Sequence, residues 1–367
     1  MVRKVLKLVS LLALLAYALS AGAYALFSYQ AETAGSSLVS GTLYIGKDEN
    51  NKGVLDGLIS LKKLVPGAPE EKITLPVKNI GTLTACLNGL AANIQDTQSK
   101  FLANALWVTC SGPGGERLYR GSLLSLDGNA VPTEKEVVLQ PGETGWLTFA
   151  FRLDPRAGNW YKGKKIDFSI VVYAGQNPGQ ALQTNVKIAG AGKDVRALLE
   201  EAKPRDVILL PAGEYGRLRL ETSGVVLKAK DVVFDTVISG LAIGKNGAPG
   251  GEQPRDVAVV GFTLDGEGGP EPVLTLPPAP QNIWITDNIF KNSPATVPAL
   301  FSARIFGRAA NLEITRNDFT GINNDPGSTA LVRDAPVPFK PLKFSPGAGA
   351  TVRYNLGIDL DPAVEAL

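Results

Sequence analysis

The nine residues Asn282-Ile-Trp-Ile-Thr-Asp-Asn-Ile-Phe290 return 29 positions later as Asn311-Leu-Glu-Ile-Thr-Arg-Asn-Asp-Phe319, with five of the nine identical. Asp256-Val-Ala-Val-Val-Gly-Phe-Thr-Leu264 fits the same apolar frame 26 residues earlier, and Val352-Arg-Tyr-Asn355 fits it 38 residues after Ile314 to Asn317. A strand-sized unit that recurs at roughly 20–40 residues cannot bury its apolar side alone, so the copies must stack into a solenoid. The unequal spacing puts insertions in loops, such as the Pro- and Gly-rich stretches 245–254 and 266–280. In such a stack Ile285 and Ile314 point inward on successive turns. Asn288 and Asn317, with Asn355 as a third candidate, stand at the turn between strands and pass amide hydrogen bonds along the stack. Phe290 and Phe319 stack beside them.

One short helix opens this half. Asp194 is placed to cap it, Val195, Leu198, Leu199 and Ala202 follow helical spacing, and Pro204 ends the run. Next comes Lys203-Pro-Arg-Asp-Val-Ile-Leu-Leu-Pro-Ala-Gly-Glu-Tyr-Gly216. That segment resembles the first rung of the right-handed parallel β-helix superfamily typified by polysaccharide lyases, and the helix sits where such folds carry their N-terminal cap. The resemblance covers about 193–360; it implies the fold and says little about activity.

The chain before residue 176 has a different grammar. In Gly145-Trp-Leu-Thr-Phe-Ala-Phe-Arg-Leu153, Leu147, Phe149, Phe151 and Leu153 alternate with Trp146, Thr148, Ala150 and Arg152, a period-2 strand with one buried face. Further strands are expected around 41–45, 58–61, 72–77, 135–139 and 165–173, with Pro66-Gly67 and Pro141-Gly142 as turns. Gly (40) and Pro (25) together exceed the roughly 12% of an average chain, which fits turn-rich β structure. The expectation is an all-β protein. A jelly-roll β-sandwich spans 26–175, and a linker over 176–192 carries one strand near Asn185-Val-Lys-Ile188. A short right-handed parallel β-helix with its capping helix spans 193–367.

The N-terminus reads as an export signal over 1–25. Arg3, Lys4 and Lys7 precede an apolar run from Leu8 to Leu19, and Ala23-Tyr24-Ala25 is a small-x-small cleavage site. The run is short against the roughly 20 residues of a membrane span; a retained anchor is the competing reading. Loss of 1–25 removes three of the 37 basic residues and none of the 35 acidic ones, leaving a net charge of −1. No basic excess then points to nucleic acid, and no membrane association is expected once the signal is cleaved. The expected location is outside the cell or on its surface. There Cys86 and Cys110, both in strand-like flanks, are expected to form a disulfide; two buried thiols are the alternative.

The chain has no histidine, which excludes Ser-His-Asp triads, HExxH zinc sites and imidazole metal ligands. No cofactor and no metal are expected; the acidic turn Asp48-Glu49-Asn50-Asn51 reads as a polar hairpin or, less simply, a calcium loop. A lyase does not need histidine. Arg255, Asp256, Asp265, Lys291, Arg304, Arg316 and Asp318 are the charged candidates, but no two stand at a recognisable catalytic spacing.

Tyr24-Ala25-Leu26-Phe27-Ser28, followed by Val39-Ser40-Gly41-Thr42-Leu43, then Leu64-Val65-Pro66-Gly67 and Ile73-Thr-Leu-Pro-Val-Lys-Asn-Ile-Gly-Thr-Leu83, occur in the order seen in the TasA/camelysin family. The resemblance covers roughly 20–175. The cysteine pair and the appended β-helix depart from it. It implies a jelly-roll subunit of biofilm-matrix fibres, in some members linked by a mature N-terminal strand that inserts into a neighbour. Here that segment is amphipathic: Phe27, Tyr29, Ala31 and Thr33, preceded by Leu26, lie on one side, and Ser28, Gln30 and Glu32 on the other. Such a strand can fold back on its own sheet or be donated to the next copy. The expected partners are copies of the same chain, with polysaccharide or cell-surface glycans meeting the β-helix. The alternatives are a surface carbohydrate-binding or adhesive protein that does not polymerise, and a β-helix polysaccharide lyase.

Overall fold

The computed structural model describes residues 29–32, 45–46, 59–61, 65–95, 99–158, 161, 165–176, 179, 182, 184–190, 194–244, 253–266, 273–277, 280–291, 310–321 and 349–353. These residues are nearly all β, in two antiparallel and two parallel sheets.

The antiparallel pair forms the sandwich. Sheet A orders β1 (Tyr29–Glu32), β10 (Ile166–Gly175), β5 (Ala85–Ile94) and β8 (Val131–Leu139), with β3 (Ile59–Leu61) also on β10. Sheet B orders β2 (Ile45–Gly46), β4 (Glu71–Asn79), β9 (Thr144–Leu153), β6 (Leu106–Ser111) and β7 (Arg117–Ser122). The alternation expected over 145–153 is present: Leu147, Phe149, Phe151 and Leu153 are buried, while Trp146 is 46% exposed. Phe151 packs edge-on against Phe168 of the facing sheet at 5.4 Å. Two short helices, α1 (Ser99–Ala103) and α2 (Leu123–Leu126), lie at one end of the sandwich; Ser122 Oγ caps α2 by accepting from Ser125 N.

The parallel sheets form the stack. Sheet C orders β11 (Val186–Ile188), β12 (Val207–Leu210), β14 (Val226–Ala229), β16 (Val257–Val260), β19 (Gln281–Thr286), β21 (Ala310–Thr315) and β23 (Gly349–Arg353). Sheet D orders β13 (Gly213–Leu220), β15 (Thr236–Ile243), β17 (Thr263–Asp265), β20 (Ile289–Lys291) and β22 (Asp318–Gly321), with β18 (Leu274–Thr275) on β15. The sequence repeats are the register of this stack. Val259 pairs with Ile285, Ile285 with Ile314, and Ile314 with Val352. The helix α3 (Val195–Glu200) is capped by Asp194 Oδ1, which accepts from Arg196 N at 2.9 Å; Val195 and Leu199 pack into the core of the stack.

Within 176–192, the described residues Gly179, Leu182 and Thr184 lie against the sandwich. Thr184 Oγ1 donates to the Ala130 carbonyl, Gly179 N donates to Glu136, and a Cβ on Gly89 would lie 2.5 Å from Leu182 Cδ2. These three residues therefore lie over the outer side of sheet A, and Val186–Ile188 is the first strand of sheet C. The two units share one apolar cluster. Val207 and Leu209 on the outer side of sheet C are buried with Leu118, Leu123 and Leu124 of the sandwich.

The disulfide expected between Cys86 and Cys110 is absent; both are free, buried thiols. Alternation explains this. On β5, Ala85 and Leu87 face the sandwich core, so Cys86 faces the opposite way, with its Sγ near the Gln176 carbonyl at 3.8 Å. On β6, Leu106, Val108 and Cys110 all face the core. The thiols lie on different sheets and point into different compartments. Burial raises both pKa values, that of Cys86 with help from Glu136 and that of Cys110 with help from Glu116.

Candidate functional site

Three places in the fold bear on function: the edge strand at the N-terminus, the asparagine ladder, and the junction between the two units.

Strand β1 pairs antiparallel with its own sheet: Tyr29 opposite Ala174, Gln30 opposite Tyr173, Ala31 opposite Val172 and Glu32 opposite Val171. Of the two fates open to this segment, the single chain adopts the folded-back one. β1 shares one edge of β10 with β3, which pairs with Ile166–Phe168. The four-residue strand therefore fills the remaining length of that edge. Leu26, Phe27 and Thr33 lie outside the described residues.

The ladder sits where sheet C turns into sheet D. The corner residues Gly261, Asp287 and Arg316 all have positive φ, between 56° and 82°. Glycine adopts this conformation freely, whereas the other two must be held there. The next residue turns inward, and Asn288 and Asn317 are both fully buried. Asn288 Oδ1 accepts from Phe262 N at 3.0 Å, and its Nδ2 donates to the Val259 carbonyl at 3.0 Å. Asn317 Oδ1 accepts from Asn288 N at 3.0 Å and from Asn288 Nδ2 at 3.1 Å, while its own Nδ2 donates to the Ile285 carbonyl at 2.8 Å. Each side chain thus satisfies backbone groups of the turn below. Ile285, Ile314 and Phe290 are buried in the same core, with Phe290 opposite Leu264. Phe319 lies in β22, and its side chain is outside the description; Asn355 lies outside the described residues.

The junction was not foreseen from the sequence. Asn104 of the sandwich bonds twice to the stack: its carbonyl accepts from Val233 N at 3.0 Å, and its Nδ2 donates to the Asp287 carbonyl at 2.9 Å. Arg156 holds Asp154 through both carboxylate oxygens at 2.9 Å, reaches across to Asp235 at 2.6 Å, and lies 5.3 Å from the Phe234 ring. At Gly121 a Cβ would come within 2.7 Å of the Lys230 carbonyl, which accepts from Ser122 N at 2.9 Å. The backbones therefore meet where only glycine fits.

Lys228 projects from the outer side of sheet C into this junction and is 5% exposed. Its Nζ donates to the Asp127 carbonyl at 3.2 Å, and the Asp127 carboxylate pairs with Lys100 at 2.7 Å. Burial pulls the Lys228 pKa down to about 8; Lys100 adds to the depression, and Asp127 and Asp287 oppose it. Beside it Arg316 forms a bidentate pair with Asp287 at 2.9 Å and 2.9 Å. Burial alone would lower the Arg316 pKa, but the bonds and charge of Asp287 outweigh it and the pKa is raised.

The charged lyase candidates do not converge. Arg316 is committed to Asp287 at one end of the sheet C strands. Asp256 stands at the other end, where it accepts from Asn282 Nδ2 at 2.6 Å, next to Arg255. Asp265 and Lys291 are register neighbours on sheet D, and Arg304 lies outside the described residues. Among the described residues no group of three or more Asp, Glu or Cys could hold a metal ion, and no helix is long and apolar enough to cross a membrane.

No family model matches the chain, and no curated protein matches it. Among solved structures, a crystal structure of the Agl-KA catalytic domain is 9% identical, with 79% of this chain and 71% of that chain covered and a TM-score of 0.18. A likeness at that TM-score carries no argument about this chain.

Proposed function

We propose that the protein is a structural subunit of an extracellular filament or matrix fibre, secreted by its N-terminal signal, and that it polymerises by exchanging β1 between copies. The carrying observation is the place of β1: four residues at the edge of sheet A, paired with residues 171–174 far along the chain and, among the described residues, with no other strand. Withdrawing it frees the Val171–Ala174 edge of β10. A neighbour's β1 has the same sequence and restores the same ladder, so exchange changes few contacts and forms a head-to-tail link. The order of motifs shared with the TasA/camelysin family supports this reading. In such a fibre the β-helix rides as a fixed side unit, because Asn104, Arg156 and the shared apolar cluster hold it to the sandwich.

Negative-stain imaging and sizing of the secreted chain test the proposal. Fibres from the intact chain, and folded monomers after deletion of 26–34, are expected. Monomers at every concentration from the intact chain would refute it.

A further inference from the structure

The outer side of sheet B carries a feature that neither the fold nor the proposed assembly uses. Register and alternation place a grid of side chains there. One row runs Lys72, Ala150, Thr109, Arg120 across four strands, and the next brings Arg152 beside Trp107. The row spans about 14 Å at the usual spacing between strands. Trp146 stands further along β9 and is 46% exposed. The Arg120 guanidinium lies 4.9 Å from the centre of the Trp107 ring. Arg152 Nε is buried and makes no hydrogen bond, which is costly for a charged donor unless something else meets it.

Among the described residues, the charge on this side is mostly positive. Lys72, Arg120 and Arg152 project from it. Among the described residues, alternation adds the carboxylates of Glu70, ahead of β4, and Asp154, after β9. Of the nearby acids, Asp154 is held by Arg156 and Trp107, and Glu134 by Arg117. Between the cations the surface offers hydroxyls rather than apolar bulk: Thr109, and the Thr74–Thr148 pair at 3.2 Å. A sheet face with cations on β4 and β7, hydroxyls between and an exposed indole fits a chain of rings that carry carboxylates. Each ring can lay a C–H face on Trp146 while its carboxylate meets an arginine or lysine.

We propose that the outer side of sheet B binds an acidic, uronate-bearing polysaccharide through Lys72, Arg120, Arg152 and Trp146. The site is on the sandwich, not on the β-helix, and it does not depend on polymerisation.

The test uses the full secreted chain and three probes: polygalacturonate, the same polymer methyl-esterified, and inorganic polyphosphate of similar length. Binding to polygalacturonate that weakens with salt, and is at least tenfold weaker for the esterified polymer and for polyphosphate, is expected. Trp146→Ala and Lys72→Gln, both at exposed positions, should each weaken it about fivefold to tenfold, with the melting temperature unchanged. Arg152→Gln should do the same; if it melts early, the two exposed variants decide. Equal binding of the esterified polymer, equal or tighter binding of polyphosphate, or full binding by Trp146→Ala and Lys72→Gln would overturn the proposal.

Discussion

Replacing Asn288 by alanine isolates the contribution of the buried ladder. The change leaves Phe262 N without its acceptor at 3.0 Å and removes the donor to the Val259 carbonyl and to Asn317 Oδ1. Phe262 N and the Val259 carbonyl lose a buried partner, at about 1–3 kcal/mol each, whereas Asn317 Oδ1 keeps the Asn288 N–H. Some relaxation at the turn brings the expected total to about 3–5 kcal/mol, among the larger effects of single substitutions. The chain supplies its own control. Asn311 Nδ2 donates to Asn282 Oδ1 at 3.2 Å, and Asn282 donates in turn to Asp256, in a second asparagine ladder that is open to water. Asn311 has φ 59°, so Asn311→Gly removes the side chain without forcing the backbone. Water replaces its partners, and the change should stay within about 0.5–1 kcal/mol. Denaturant unfolding of the full chain gives both values from the shift in midpoint at constant slope. A loss below about 1 kcal/mol for Asn288→Ala, or equal losses at the two sites, would refute the claim that burial makes this ladder strong.

Two further outcomes follow from buried groups. The Lys228 pKa lies near 8 in the fold and at 10.5 when free, so between those values the unfolded chain binds more protons and stability should rise with pH, by on the order of 3 kcal/mol over the window. Lys228→Met should flatten that rise and be neutral or stabilising at pH 7, since Asp127 keeps Lys100 and Asp287 keeps Arg316; an unchanged pH profile would show that Lys228 is not the titrating group. Both cysteines should react with a thiol reagent in denaturant without prior reduction and resist it in the native state; a mass two hydrogens below the dithiol would contradict the free thiols.

What the sequence made legible depended on one-sided burial. β9 alternates because water lies on one side of it, and the turns of the stack repeat because each turn presents the same corner to the next. Asp194 was readable as a cap because capping is local. β5 was legible as a strand around Cys86 but not by face, because Leu182 lies over its outer side at Gly89, both faces are buried and no alternation survives. The parity that separates Cys86 from Cys110 was lost with it. The junction was invisible for a different reason. Asn104 meets Asp287 across 183 residues, and Lys228 in Val225-Val-Leu-Lys-Ala-Lys230 reads as a solvated strand position until the sandwich is laid over it. The N-terminal strand was legible as a strand, but an edge offers the same ladder to a strand from the same chain or from another.

That last ambiguity is resolved by a cross-link. Gln30 and Tyr173 are register partners at the edge of sheet A, and antiparallel partners stand about 4.5–5.5 Å apart at Cα, within reach of a disulfide. Gln30→Cys and Tyr173→Cys are introduced together in a Cys86→Ala, Cys110→Ala background, and the purified chain is oxidised after incubation under fibre-forming conditions. Strand exchange predicts a ladder of covalent multimers on a non-reducing gel, collapsing to one band on reduction. Cross-linked chains that run only at monomer size, from a preparation that contains fibres, would contradict it.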